Sequence, residues 1–306
     1  MVGGTSGYIA VQNLMFAQPD AGPLLGYDLD GVCTCPGPPS CVSGPHCDLP
    51  GGRDTSGNQF VGLLDNFLKG SAAGDLNTQI AAGQLGLLFW VLEYNGEADD
   101  EGVGLAVMTS PGIIVDPEAG TTQPPIWDGT DVWNVNPSSV AGVTLVDGGY
   151  IYVPLSLSTN AYVTGGTLVA TLPKVEISLG SASLVITDAV VTGILHAAHG
   201  GYDLQQGQLS GRVPTHDLQL FIATLRDPFN RSTFLCGNDA TFQGFRSDLC
   251  QAADIMSDPA LDGTDAGCNA ISLVVGFNAV AANVGALYAG KPAQTGCDGS
   301  VVECTP

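Results

Sequence analysis

The spacing of apolar residues changes along the chain, and the change divides it. In NQFVGLLDNFLKG, Phe60, Leu63, Leu64, Phe67 and Leu68 fall at i, i+3, i+4, i+7 and i+8. That is one face of a helix, with Gly70 placed as its C-terminal cap. A second short helix is predicted over 72–82, with Leu76 and Ile80 on one side. From Gly86 the helical period is lost. LGLLFWVLEY (85–94) is a continuous apolar run that ends in the turn NGE, which is how a buried strand reads, and GVGLAVMTS (102–110) is a second one.

Turn signals fill 111–149: DPEAG, QPPIWDGTD and VDGGY. A series of strands then opens. YIYVPLSLS alternates, placing Ile151, Val153, Leu155 and Leu157 on one face, and TLVATL, VEISL, LVITDAVVTGILH and QLSGRV follow between Gly, Asn and Ser punctuation. Strands at such spacing mark a sandwich or a barrel. LQLFIATL (218–225) is ambiguous between strand and a helix docked on the sheet, and DATFQGFRSDLCQAADIM (239–256) reads as helix. AISLVVGFNAVAANVGALYAG (270–290) is divided: its first half alternates like a strand and its second half has helical spacing.

The expected fold is α+β, mainly β. It has a central antiparallel β-sandwich or barrel of about 10–12 strands, short helices and disulfide-stapled terminal loops. The chain is read as one compact unit over 1–306, with a Cys/Asp loop at 27–58, short helices at 59–84, a β body at 85–225 and a cysteine-containing cap at 226–306.

Charge narrows the function classes. Eight Lys and Arg face 30 Asp and Glu over 306 residues, for a net charge of −22, yet only 12% of residues are charged. Such a surface repels phosphate backbones and anionic lipid, so nucleic-acid and peripheral-membrane roles are disfavoured and cationic partners are favoured. No stretch is apolar and long enough for a membrane-spanning helix.

Nine cysteines lie in two terminal clusters: Cys33, Cys35, Cys41 and Cys47, then Cys236, Cys250, Cys268, Cys297 and Cys304. In loop-like, Gly/Pro-rich surroundings they read as disulfides formed in an oxidising compartment. Four cysteines in the first cluster allow three pairings, and an odd total leaves one thiol over. No signal peptide is visible, so export would mean that Met1 stands in place of a removed leader. The expected location is extracellular or the outer surface of a bacterium.

The Cys/Asp loop is the first candidate site. Asp28-Leu29-Asp30-Gly31 resembles the start of a calcium loop: alternate aspartates on an extended segment point oxygens the same way, and glycine allows the chain to wrap an ion. Asp48 and Asp54 come after the cysteines, and a disulfide-folded loop would bring all four towards one Ca²⁺. The glutamate that closes an EF-hand is missing, and the alternative is four solvated turn residues. Zinc is the rival for the same stretch, through Cys33, Cys35, Cys41, His46 and Cys47, but the spacing fits no paired CxxC pattern. The loop is too poor in apolar groups to build its own core, so cross-links must hold it.

Other motifs are weaker. His196 and His199 in HAAHGGYD are read as a polar rim at a strand end. There is no GxSxG elbow, P-loop or HExxH. Glu93, Glu97 and Glu176 are the carboxylates a glycoside hydrolase reading would use. IWDGTDVW places Trp127 and Trp133 around an acidic turn, as sugar-binding sites do, or as two core tryptophans bracketing a loop.

The order DLDG, clustered cysteines, a Gly-Gly-x-Asp segment and an amphipathic helix resembles the uncharacterised exported lipoproteins of predatory soil bacteria. That resemblance implies a β-rich body closed by a C-terminal cysteine segment, here CQAADIM to CNAIS, and implies no activity. GGRDTSGN departs from the pattern, since Arg53 and Thr55 flank Asp54. The functional expectation is a secreted or cell-surface, non-enzymatic binding or structural protein, stabilised by disulfides and Ca²⁺, with carbohydrate or a cell-surface component as partner. A secreted hydrolase using carboxylates or a metal is the alternative.

Overall fold

The computed structural model of the chain describes residues 4–16, 25–35, 37, 39–42, 47–54, 72–146, 149–179, 182–224, 227, 230, 232–235, 239–289 and 304. The amphipathic helix expected over 59–70, His46, Cys236 and Cys297 lie outside them.

The strands are β1 (Thr5–Phe16), β2 (Gly86–Tyr94), β3 (Asp100–Ser110), β4 (Ile114–Asp116), β5 (Thr121–Thr122), β6 (Val132–Val135), β7 (Val140–Val146), β8 (Gly149–Pro154), β9 (Ser156–Thr164), β10 (Thr167–Leu179), β11 (Ala182–Ala198), β12 (Gly201–Pro214) and β13 (Ala270–Leu287). Among the described residues three α-helices accompany them: α1 (Ala72–Ala81), α2 (Thr215–Ile222) and α3 (Ala240–Ala252). The order β1-β2-β3-β9-β10-β11-β12-β13 is antiparallel at every step, and β1 pairs back onto β13, with Tyr8 opposite Ala282 and Leu14 opposite Phe277. The result is a closed eight-stranded antiparallel barrel. It runs up and down in chain order, with α1 inserted between β1 and β2, the β4–β8 strands between β3 and β9, and α2 and α3 between β12 and β13.

The barrel is packed rather than hollow. Ile9, Val11, Phe89, Val91, Leu105 and Val107, all at 2% exposure or less, sit at every second position of the first three strands and point inward. Phe89 and Phe277 stack there with ring centroids 5.0 Å apart. Gly207 leaves room for that stack: a Cβ on it would lie 2.5 Å from the Phe277 ring. Leu218, Phe221 and Ile222 of α2 and Phe242, Phe245 and Leu249 of α3 belong to the same core cluster, which places the two helices as a plug against the barrel interior.

A second core lies outside the barrel wall. Ala10, Leu88 and Met108 face outward and are covered by Trp133, Val135, Val140 and Tyr152 of the insert. Strand β6 runs parallel to the end of β13, and the Tyr152 hydroxyl donates to the Gly285 carbonyl. Helix α1 is tied to β1 by the Asn77 side chain, which accepts from the Leu14 N–H at 2.7 Å and donates to its carbonyl at 2.9 Å.

Two local expectations are corrected. The segment 270–287 is strand throughout. It pairs with β12 and β1 on its two edges, and successive residues from Ala270 to Phe277 are all buried, so both faces are covered there and simple alternation is lost. The turn-rich stretch 111–149 also contains the short strands β4 to β7.

Candidate functional site

The acidic loop lies near the outer wall of β10–β12, anchored by cysteine and arginine. Cys41 is bonded to Cys268, 227 residues away in sequence, and both are buried with Ala253 and Met256 in a small satellite core. Cys35–Cys47 closes the loop on itself, and Cys250–Cys304 pins the chain terminus to α3. Cys33, expected among the bridged cysteines, is free and exposed. Its neighbour Cys35 has taken Cys47, and Cys41 has taken Cys268.

Arg212 of β12 is the second anchor. Its guanidinium is 1% exposed and makes a two-pronged pair with Asp262, at 3.0 and 2.6 Å. It also donates to the carbonyls of Met256 and Leu29, each at 2.7 Å. A planar donor fork suits such a bidentate partner, and each Nη nitrogen finds two acceptors. The Leu29 contact places the calcium-loop-like DLDG segment directly on the barrel. Asp188 lies 3.9 Å from the Arg212 Nε, on the bulge of β11, where its backbone is left-handed (φ 47°).

Within the loop, Asp28, Asp30 and Asp54 each bring a carboxylate oxygen within 4.8 Å of the others. Asp28 is exposed, Asp30 half-buried, and Asp54 2% exposed. Each is held by backbone N–H groups: Gly31 donates to Asp28 at 2.7 Å, Val32 to Asp30 at 2.8 Å and Leu29 to Asp54 at 2.6 Å. The turn 49–53 brings Asp54 alongside, and Gly52 (φ +72°) permits the approach, because a Cβ there would meet the Asp28 carboxylate at 2.9 Å. Asp48, the fourth aspartate expected here, stands beside the triad rather than in it. It accepts from the Thr34 N–H at 2.5 Å.

Gathering carboxylates in a buried place disfavours their charge. Burial pushes the Asp54 carboxyl up to about 8; Asp30, Asp254 and Asp48 add to the rise, while the Leu29 N–H opposes it. Burial raises Asp48 as well, helped by Asp30 and Asp28. The cluster is therefore poised to take a proton or a cation. Oxygen-only donors of this kind suit a hard cation such as Ca²⁺, and the triad would supply three of the six to eight oxygens it requires. Beside the loop is an open cleft of about 530 Å³, lined by Tyr27, Asp28, Thr171, Pro173, Asp188 and Arg212. The Tyr27 and Thr192 hydroxyls are hydrogen-bonded to one another at its edge.

The remaining candidates are dispersed. Trp133 is fully buried in the outer core, and Trp127 packs on it with centroids 5.7 Å apart, so only Trp127 keeps a solvent-facing surface. Trp127 has a left-handed backbone (φ 62°), held by Asp131, whose carboxylate accepts from the N–H groups of Ile126 and Trp127. His196 and His199 are exposed, at the end of β11 and in the turn after it. Glu93 and Glu97 flank the β2–β3 turn, far in the chain from Glu176 on β10. Arg212 and its partner Asp262 were not singled out by the sequence reading.

No helix among the described residues is long and apolar enough to cross a membrane. The fold and site define a disulfide-stapled, closed β-barrel protein with an acidic loop strapped to its wall. The chain matches no protein-family model, no curated protein and no solved structure.

Proposed function

We propose that this is an exported, non-enzymatic binding protein whose acidic loop takes Ca²⁺. The observation that carries the reading is the convergence of Asp28, Asp30 and Asp54 within 4.8 Å, with Asp54 buried. The disulfides support the compartment: three bridges are formed among the described cysteines, and such bonds persist where the surroundings are oxidising. Calcium would relieve the repulsion in the triad and lock residues 28–54 against Arg212 and Cys268. Ligand binding to the folded state alone raises stability by mass action.

The test is the melting temperature of the oxidised protein in Ca²⁺ and in EDTA, with Mg²⁺ as control. Calcium at about 100 times its Kd adds about 2.7 kcal/mol, a shift of several degrees, and Asp30→Asn should abolish it. Equal melting in Ca²⁺ and EDTA would remove calcium from the reading.

For the bound partner we infer carbohydrate, on the partly buried ring of Trp127 beside the exposed Asp128, an apolar plane next to hydrogen-bond acceptors. Oligosaccharide binding that is lost in Trp127→Ala would support this; a glycan array with no hits would count against it.

A further inference from the structure

The insert that covers the barrel leaves its own outer face uncovered. From Ile151 to Leu157 the chain is the end of β8 and the start of β9 on either side of a bend at Leu155, and buried and exposed side chains alternate along it. Tyr152 is buried, and Pro154 and Ser156 are half-buried. Ile151, Val153, Leu155 and Leu157 point out, at 48%, 55%, 62% and 39% exposure. Parity is set from below: the Tyr152 hydroxyl is bonded to the Gly285 carbonyl, and the Leu155 N–H donates to the Ser139 carbonyl at 3.0 Å. The stripe cannot turn inward without breaking both.

Eight of the thirteen large hydrophobic side chains left exposed among the described residues lie between Val132 and Tyr162, although Val143 and Leu145 pair with Tyr152 and Tyr150 and so lie on the other face of the β7–β8 hairpin. Between Asp131 and Lys174 the chain carries one charged residue, Asp147. In a molecule of net charge −22, this is a place where carboxylates are nearly absent from the sequence.

We propose that this face is a self-association surface, on which two copies dock stripe to stripe about a two-fold axis. A second copy is the occupant that charge and area favour. Two chains of like charge approach most easily where carboxylates are few, and this segment, with Asp147 its one charged residue, offers that on both partners at once, as an isologous contact requires. At the exposures above, the stripe leaves roughly 400 Å² of aliphatic surface open, as much as the largest patch on an ordinary monomer. Two stripes together remove about 800 Å² from water. With the surrounding Ser, Thr and Asn rim the contact passes the ~1,000 Å² that a specific interface needs. A lipid surface is the poorer fit, because no Lys or Arg lies between Asp131 and Lys174 to anchor the face among headgroups.

The test is sedimentation velocity of the intact, oxidised protein from about 1 to about 100 µM. The wild type should sediment as a dimer within that range. Its Kd should fall as salt is raised, since screening relieves repulsion between two acidic bodies. Val153→Glu/Leu155→Glu should raise the Kd roughly 30-fold or more, with the far-ultraviolet spectrum and melting of the monomer unchanged, because both side chains are more than half exposed. Leu220→Glu, an equally conspicuous exposed residue on α2, should leave the dimer intact. A wild type that stays monomeric at the highest concentration and salt overturns the proposal. So does a double variant that still dimerises. A monomeric wild type that cosediments with phosphatidylcholine vesicles through Leu155 overturns it in favour of lipid.

Discussion

Asp54 is 2% exposed and sits among other carboxylates, and its titration links the loop to the stability of the whole chain. In the unfolded chain an aspartate ionises near 3.9; in the fold, burial holds Asp54 protonated up to about 8. Below pH 4 both states are protonated and the residue costs nothing. As pH rises from about 4 to 8 the unfolded chain gains charge that the fold disfavours, so the folded state loses stability, and the loss is complete above the folded value. In EDTA, Asp54→Asn should therefore melt above the wild type at pH 8 and close to it at pH 4. Its amide oxygen can still accept from Leu29. In Ca²⁺ at pH 8 the order should reverse, because the ion needs the carboxylate. Parallel melting curves for the two proteins across that pH range in EDTA would show that Asp54 is not held protonated.

Among the elements, the loop has the longest tether and the thinnest core. Cys41 and Cys268 have Cα atoms 5.2 Å apart and join segments 227 residues distant. Closing so long a loop in the unfolded chain is worth about 5 kcal/mol in the chain-entropy account. Cys41→Ala/Cys268→Ala should lower denaturant stability by about that much and weaken any Ca²⁺ response, since Asp28 and Asp54 would lose their frame. A response to Ca²⁺ that survives at full strength would assign the frame to Arg212 alone.

This element was legible in the sequence because four cysteines and four aspartates crowd into residues 27–58. Asp28, Asp30 and Asp54 do meet, while Asp48, spaced as well for the role, is drawn aside by the Thr34 N–H. Arg212 escaped notice because a lone arginine in QLSGRV looks like a surface residue; only the fold shows Asp262 brought against it from 50 residues away. The strand YIYVP was recognised, but not which side it buries. Both of its faces are apolar, so periodicity cannot choose between them. The aromatic face goes inward because Tyr152 finds a hydrogen-bond acceptor there, and the aliphatic face is left to solvent or a partner. In β13, covered on both faces, alanine and valine mimic a helical stripe for the same reason.

At the scale of the molecule, closure depends on its first strand. β1 is hydrogen-bonded to β2 on one side and to β13 on the other, joining segments from opposite ends of the chain. It also contributes Ile9 and Val11, both at 0% exposure, to the interior and Ala10 to the outer core. No local contact substitutes for it, because the neighbours it joins are the first and last strands of the remaining meander. Removing residues 1–16 would leave β2 and β13 with unpaired edges and the lumen open along one side. Such edges pair with other chains. The truncated protein should lose its cooperative unfolding transition and aggregate through intermolecular sheet, read by calorimetry and light scattering. A shortened chain that melts cooperatively as a monomer would mean that β2 and β13 can close on each other, and that an eight-stranded ring is not needed for this core.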